Sequence, residues 1–320
     1  MRTLIGAAST CLALAIAAGA SAAYPDRPIT IVVPYNAGGP TDAMARILQG
    51  PLQEALGATV VVENIAGAGG AIGAQKVLRA PADGYTLFLG NNGPSAVTPL
   101  LGNAGFDPMH DFRPVSLIAK STMVLAISGK TPAKDLPTFI DYAKRNPGKL
   151  NYASAGTGSL GHLASALLVK QAGLDMMHIP YKGQAPTLNA LVAGEVDLLL
   201  TTPTAAMRGQ AQEGRIRFIG VTSEDTSPFD PQVQTIRETI PDFVLYSWFA
   251  LMGKEGTPDA IVQELHDAVA QAIAKPEVRE RFAALGVVAE SSTAETVSRL
   301  IGQDVSRWSE VIRENGIKAN

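Results

Sequence analysis

The sequence has 320 residues, 46% hydrophobic, 17% charged and 6% aromatic, with a net charge of −3 at pH 7. That length suggests two domains, the composition excludes a solvated disordered chain, and the weak acidity argues against the basic face of a nucleic-acid-binding protein. The single cysteine, Cys11, excludes a disulfide framework and a cysteine-based metal site.

Residues 1–22 read as a secretory signal peptide. Met1-Arg2-Thr3 leads into an apolar run from Leu4 to Ala18, closed by Ala20-Ser21-Ala22, an A-x-A site with cleavage expected after Ala22. The run is short for a membrane span. Cys11 lies inside it behind Ala8-Ser9-Thr10, a poor lipidation signal. The chain is therefore expected to be exported.

Beyond this, short β-branched runs alternate with helical stretches. Strands are predicted over 29–33, 60–63 and 86–89, with helices over 41–56 and up to residue 79. Continuous apolar runs each followed by a helix point to parallel sheets buried on both faces. The pattern breaks near Phe106-Asp107-Pro108, where strands 115–119 and 123–127 follow one another with no helix between. Alternation resumes with helix 135–145, strand 150–154, helix 160–171, strand 176–180, helix 186–193, strand 196–201, helix 204–212 and strand 216–221. After a second break at 227–231 comes strand 245–252. Three helices complete the chain, the first carrying Ile261, Leu265, Val269 and Ile273 as an apolar stripe. Thr257 before Pro258 is the expected N-cap of that helix.

Two α/β sets with two breaks predict two lobes and two crossings. Lobe 1 is assigned residues 23–122 and 246–320, and lobe 2 residues 123–245, with the C-terminal helices packed on lobe 1. The fold class is α/β, with two parallel-rich sheets flanked by helices and an interlobe cleft.

Ligands of open parallel sheets sit at the carboxyl ends of strands. Five loops there are rich in Gly, Ser or Thr: 35–42, 64–70, 90–95, 154–159 and 201–204. Glycine lets a ligand approach the backbone, and the helix that follows offers free N–H groups and a partial positive charge. Such loops can hold a carboxylate or phosphate without a formal cation, or can be ordinary βα turns. The expected contacts are Tyr35, Asn36, Ala37, Gly38, Gly39 and Thr41 from lobe 1, with Asn92 and Ser95 selecting the distal end of the ligand. Ser154, Gly156, Thr157, Gly158 and Ser159 face them, with Thr202 and Pro203 at the rim and His162 within reach. Asp42 serves as a first-turn cap or as a ligand contact, and Glu63 and Asn64 as loop braces. Arg46, Lys182 and Arg208 are read as solvated.

Gly156-Thr157-Gly158-Ser159-Leu160-Gly161 matches G-x-G-x-x-G, but Asp175 precedes the next strand, where a dinucleotide site needs the acid at its end. No G-x-S-x-G elbow, no H-E-x-x-H and no histidine pair at metal spacing occurs. Neither an enzyme nor a cofactor or metal is expected.

The ordered set of loop motifs carries a resemblance. It comprises Tyr24-Pro25, Val33-Pro34-Tyr35 with Ala37-Gly38-Gly39 and Asp42, and Val62-Glu63-Asn64 with Gly67-Ala68-Gly69-Gly70. Asp83-Gly84-Tyr85-Thr86-Leu87, Tyr152 through Ser159, Pro180-Tyr181-Lys182-Gly183 and Gly194-Glu195-Val196-Asp197 follow. Ser247-Trp248-Phe249, Gly256-Thr257-Pro258 and Trp308 complete it. In these the chain resembles the substrate-binding receptors of the tripartite tricarboxylate transporter family, often called Bug proteins. The resemblance implies a Venus-flytrap fold, type II-like, and capture in the periplasm of a small carboxylate, a dicarboxylate or an aromatic carboxylate, for membrane permease subunits. A monomer without nucleic-acid partners is expected. A sensor-coupled binding protein and an exported enzyme acting on a carboxylate are the alternatives. Two departures stand out: Thr202 where the family usually has Asp or Asn, and Met252-Gly253-Lys254-Glu255 in place of a more apolar run, placed at the surface.

Overall fold

A computed structural model describes residues 24–102, 104–181, 183–225 and 230–318. The expected signal peptide, its cleavage site, Cys11 and Lys182 lie outside the described residues.

The chain begins β1 (Ile29–Val33), α1 (Pro40–Leu56), β2 (Val60–Asn64), α2 (Ala71–Arg79) and β3 (Thr86–Asn91). A π-turn over Gly93–Val97 and the short α3 (Thr98–Leu101) lead to β4 (Phe112–Thr122). Next come β5 (Val124–Ser128), α4 (Leu136–Lys144), β6 (Leu150–Ser154), α5 (Leu160–Gln171), β7 (Met176–Pro180), α6 (Gln184–Ala193), β8 (Leu198–Thr201), α7 (Ala205–Gln212) and β9 (Ile216–Val221). The chain then returns through β10 (Tyr246–Lys254), α8 (Asp259–Ala274), α9 (Pro276–Ala284), β11 (Val288–Ala289) and α10 (Ala294–Glu314).

These form two sheets, of order β11-β4-β10-β3-β1-β2 and β7-β6-β8-β5-β9. β1 pairs in parallel with β2 and β3, and β6 in parallel with β7 and β8. Each sheet takes in one antiparallel strand at a crossing: β10 lies between β3 and β4, and β5 between β8 and β9. The carboxyl ends of the parallel strands therefore lie along one edge in each sheet, and that edge carries the Gly-rich turns.

Both faces of each sheet are covered, which explains the unalternating strand sequences. In the first sheet, one face packs Ile31, Val33 and Leu89 under α1, α8 and α9, and the other packs Phe88, Trp248 and Met252 under α2 and α10. In the second, Leu125, Tyr152 and Leu200 lie under α4 and α5, and Ala126, Leu191 and Met207 lie on the α6–α7 side. A fully buried side chain of this size stabilises by roughly 1.5–3 kcal/mol.

The two crossings are stitched together by Thr222, which is fully buried. Its hydroxyl accepts from Met123 N (2.9 Å) and donates to Leu245 O (2.7 Å). Its backbone pairs with both of the same residues, Thr222 N to Met123 O at 3.0 Å and Leu245 N to Thr222 O at 2.9 Å.

Three local expectations change. The C-terminal helices do not all rest on the first sheet. Val297 and Ile301 of α10 do, but Trp308 and Val311 are buried with Phe243 and Leu245 in the second sheet's core, because a 21-residue helix outruns the sheet it starts on. Thr257 does not cap α8. Its hydroxyl donates to Lys254 O at 2.7 Å, and Pro258 holds the cap position with no side-chain bond. Met252 is not at the surface either: it is fully buried, Gly253 is buried beside it, and Lys254 Nζ reaches Ala80 O at 3.0 Å.

Candidate functional site

The first turn joins β1 to α1. Asn36, Ala37 and Gly38 are exposed, Tyr35 and Gly39 half-buried, and Thr41 buried. Gly38 has φ 87°, a left-handed conformation that other residues avoid. Gly39 is the N-cap and Pro40 follows at the first helical position, so Thr41 and Asp42 present free first-turn amides. Tyr35 anchors the turn: its hydroxyl donates to Asn91 Oδ1 at 2.8 Å, tying the end of β1 to the end of β3. Burial raises the Tyr35 hydroxyl far above its ordinary value, so it stays a donor.

Asp42 braces this turn. Its Oδ2 accepts from Gly38 N (2.8 Å) and Arg46 Nε (3.0 Å). Burial pushes the carboxyl up, but hydrogen bonds from Arg46, Gly38 and Asn64 outweigh it and hold Asp42 below its ordinary range. Arg46 is therefore part of the turn's scaffold and is not only solvated. Asn64 Nδ2 donates to Tyr35 O at 3.1 Å, and Glu63 pairs with Lys76, the bracing roles expected of them.

Asn92 does not present its amide to the cleft. It is buried, and every polar atom of its side chain is used: Nδ2 donates to Asp304 Oδ2 (2.6 Å) and Tyr246 O (3.2 Å), and Oδ1 accepts from Trp248 N (2.9 Å). Asp304 Oδ2 also accepts from Trp248 Nε1 at 2.8 Å. Ser95 is fully buried too, packed so closely on Gly90 that a Cβ there would lie 2.2 Å from its Oγ. Both residues sit beneath the third turn, because the π-turn folds their side chains inward.

The turn after β6 is built around its glycines, Gly156 at φ 137° and Gly158 at φ 76°. Ser154 is fully buried; its hydroxyl donates to Gly156 O (3.0 Å) and accepts from Gly156 N (3.2 Å). Gly158 N donates to His162 Nδ1 at 3.1 Å, and Ser159 Oγ caps α5 by accepting from His162 N at 3.3 Å. The Gly156 and Gly158 amides are thus spent inside the turn. The amides left by the geometry are those of Leu160 and Gly161, the first two positions of α5. Gly161 is required for another reason: a Cβ there would lie 2.7 Å from Leu200 O, so the helix N-terminus rests directly on β8.

The two edges meet at α3: a Cβ on Gly158 would lie 2.1 Å from Leu101 Cδ1. Thr202 O accepts from Gln184 Nε2 at 2.5 Å, and buried Pro203 sets its carbonyl against Gly286, 3.2 Å from where a Cβ would stand. Asp175 lies at the amino end of β7, away from the 156–161 turn, so the dinucleotide pattern lacks its ribose-binding acid.

One residue absent from the sequence-derived set belongs to this turn. His178 of β7 places Nε2 2.7 Å from Ser154 Oγ, and its ring stacks on His162, centroids 3.7 Å apart and planes 7° apart. Register could have found it: His178 is the β7 partner of Tyr152, two residues before Ser154.

A cavity of about 860 Å³ lies where β4 and β11 approach α7 and the end of β9, and includes none of the expected contacts. Of the charged residues in its lining, Lys120 is paired with Glu290 and Glu224 with Arg237. Among the described residues, no group of three or more His, Cys, Asp or Glu is arranged to hold a metal, and no helix is long and apolar enough to cross a membrane.

Residues 44–317 match the model of the tripartite tricarboxylate transporter family receptor. Protein BugT of Bordetella pertussis (strain Tohama I) is 36% identical over 307 residues, covering 95% of this chain and 94% of the relative. Among solved structures, Rpa4515 of R. palustris with adipate superposes with a TM-score of 0.80 at 32% identity, covering 92% of this chain and 99% of that one. MatC from Rhodopseudomonas palustris with bound malate superposes at 0.77 and 33% identity, covering 90% and all of that chain.

Proposed function

The chain belongs to the tripartite tricarboxylate transporter receptor family, and from that premise we propose that it is a periplasmic receptor for a small dicarboxylate, handing it to membrane permease subunits. The lobes are residues 23–122 with 246–320, and 123–245, except that the second half of α10 packs on the second lobe, and they hinge where Thr222 joins the crossings. The observation that carries the reading is the pair of Gly-rich turns on the two sheets, whose one charged side chain, Asp42, is already paired with Arg46. Each ends a parallel strand and opens a helix, of 17 residues for α1 and 12 for α5. Two helix N-termini offer fixed N–H donors and partial positive charge to the two ends of a dianion, each worth typically 0.3–1 kcal/mol or more when desolvated. Asn36, Ala37, Gly39 and Thr41 hold one carboxylate, while the Gly38 amide is spent on Asp42 Oδ2 and shapes the turn. Thr157, Ser159 and the first amides of α5 hold the other, and Thr202 and Pro203 bound the pocket. The neighbours with adipate and malate support a dicarboxylate.

Closure follows from differential affinity: a ligand touching both edges at once favours the closed state by the contacts that only that state provides. The test is a thermal-shift screen of the purified mature chain against mono-, di- and tricarboxylates. A true ligand at about 100 times its Kd stabilises by about 2.7 kcal/mol. Silence across the whole panel rejects the reading, as does turnover of a carboxylate by the purified protein.

A further inference from the structure

The turn after β6 bears no bulky side chain to hold it in place. Its shape is fixed from behind by a continuous polar and aromatic path. Gly158 N donates to His162 Nδ1 (3.1 Å), His162 lies flat on His178 (3.7 Å), His178 Nε2 meets Ser154 Oγ (2.7 Å), and Ser154 Oγ binds both the N–H and the carbonyl of Gly156. The path leaves the turn at one glycine and re-enters it at the other. Tyr152 extends the stack, its ring 5.1 Å from that of His178.

The tautomers follow from the donors. His162 Nδ1 accepts an amide proton, so its own proton is on Nε2. Ser154 spends its one hydroxyl proton on Gly156 O and has two acceptor sites, which take Gly156 N–H and an N–H from His178 Nε2. Each N–H and O–H that joins two members of the path then has an acceptor.

We infer that His178 and His162 are positioning residues for ligand capture: two stacked neutral imidazoles that clamp the Ser154–Ser159 turn and so aim the first amides of α5. His162 is 5% exposed and Ser154 fully buried, so neither side chain contacts ligand broadly. They act through the backbone that does. The inference rests on the receptor reading for its effect on affinity, and stands without it for its effect on the turn.

Four variants test it, in the full mature chain. His178→Phe keeps ring and stack but loses the bond to Ser154, and His178→Gln restores a donor at the Nε2 position. His162→Leu loses both the stack and the acceptor at Nδ1, and His162→Asn restores an acceptor there. Without ligand, amide hydrogen exchange reads the clamp directly. Gly156 loses protection in His178→Phe and Gly158 in His162→Leu, while both conservative variants retain it, and imidazole ¹⁵N shifts report the two Nε2–H tautomers. With the best dicarboxylate from the panel, the non-conservative variants bind roughly tenfold more weakly at similar melting temperature, and the conservative ones bind within about threefold of the parent. Unchanged Gly156 and Gly158 exchange overturns the clamp. Affinity that tracks melting temperature alone, with no rescue by Gln or Asn, overturns the positioning role. If the parent binds no carboxylate, the receptor reading fails and the exchange data still decide the clamp.

Discussion

His162 lies flat on His178, ring centroids 3.7 Å apart and planes inclined by 7°. Such a stack is compatible with two neutral rings and poorly with two imidazolium ions at that separation.

The first prediction is the pH dependence of stability. Burial holds both histidines down to about 4, with His178 adding to the depression at His162. Tyr152, the third ring in the stack, is pushed up to about 12 by burial and stays neutral. In the unfolded chain both histidines titrate near 6.5. Between pH 6.5 and 4 the unfolded state therefore binds more protons, and stability falls as pH falls through that window. Melting temperature against pH should show this slope, and the His162→Asn/His178→Gln double variant should flatten it. An identical slope in the double variant assigns the acid sensitivity to other groups.

The second concerns Asn92. With its amide bound to Asp304, Trp248 and Tyr246, it joins the end of β3 to β10 and α10. Burial raises the Asp304 carboxyl above its ordinary value against the lowering effect of bonds from Trp248 and Asn92. Asn92→Leu strands those partners and should cost about 2–4 kcal/mol in urea denaturation. Ligand preference across the carboxylate panel should be unaltered; a changed preference would restore Asn92 as a ligand contact.

The third concerns Thr222, where the two crossings meet. Thr222→Val keeps the shape of a buried threonine and deletes the hydroxyl that accepts from Met123 N and donates to Leu245 O. The expected loss is about 1–3 kcal/mol, the cost of one unsatisfied buried amide and carbonyl. Denaturation measures the loss, and small-angle scattering should show a broader spread of interlobe arrangements without ligand. A loss below the error of the denaturation curve would remove Thr222 from its stitching role.

The fourth separates two roles of Ser159. Its Oγ accepts from His162 N as the cap of α5, while its hydroxyl proton remains to be donated. Ser159→Ala should lose about 1 kcal/mol of stability as a lost cap and weaken carboxylate binding. Ser159→Asp keeps a capping oxygen but sets a negative charge beside the ligand. Calorimetry should find stability near the parent's and carboxylate affinity abolished. Undiminished affinity in Ser159→Asp would move the anion away from this turn.

Much of the fold was legible because the physics was local. Strands over 29–33, 150–154, 176–180 and 216–221 carry their own apolar runs, and Thr204 and Thr293 cap α7 and α10 by side-chain bonds formed within three residues. The Gly-rich turns were legible for the same reason. What escaped depended on distance. Asn92 finds Asp304 212 residues away, and His178 reaches Ser154 only through the pairing of β7 with β6. Trp308 was read as a tail residue on the first sheet, but helix length carries it into the second sheet's core. Thr257 offered the local pattern of a cap and spent its hydroxyl on Lys254 instead.

The central claim is that a dianion is held between the first turns of α1 and α5 by uncharged donors. A crystal structure of the mature chain with the most stabilising dicarboxylate tests it most directly. One carboxylate is expected within hydrogen-bonding distance of the Thr41 or Asp42 amide and the other within reach of the Leu160 or Gly161 amide, with no lysine or arginine side chain in direct contact. A ligand bound to one sheet's edge alone, or paired with a cation such as Arg208, would contradict it.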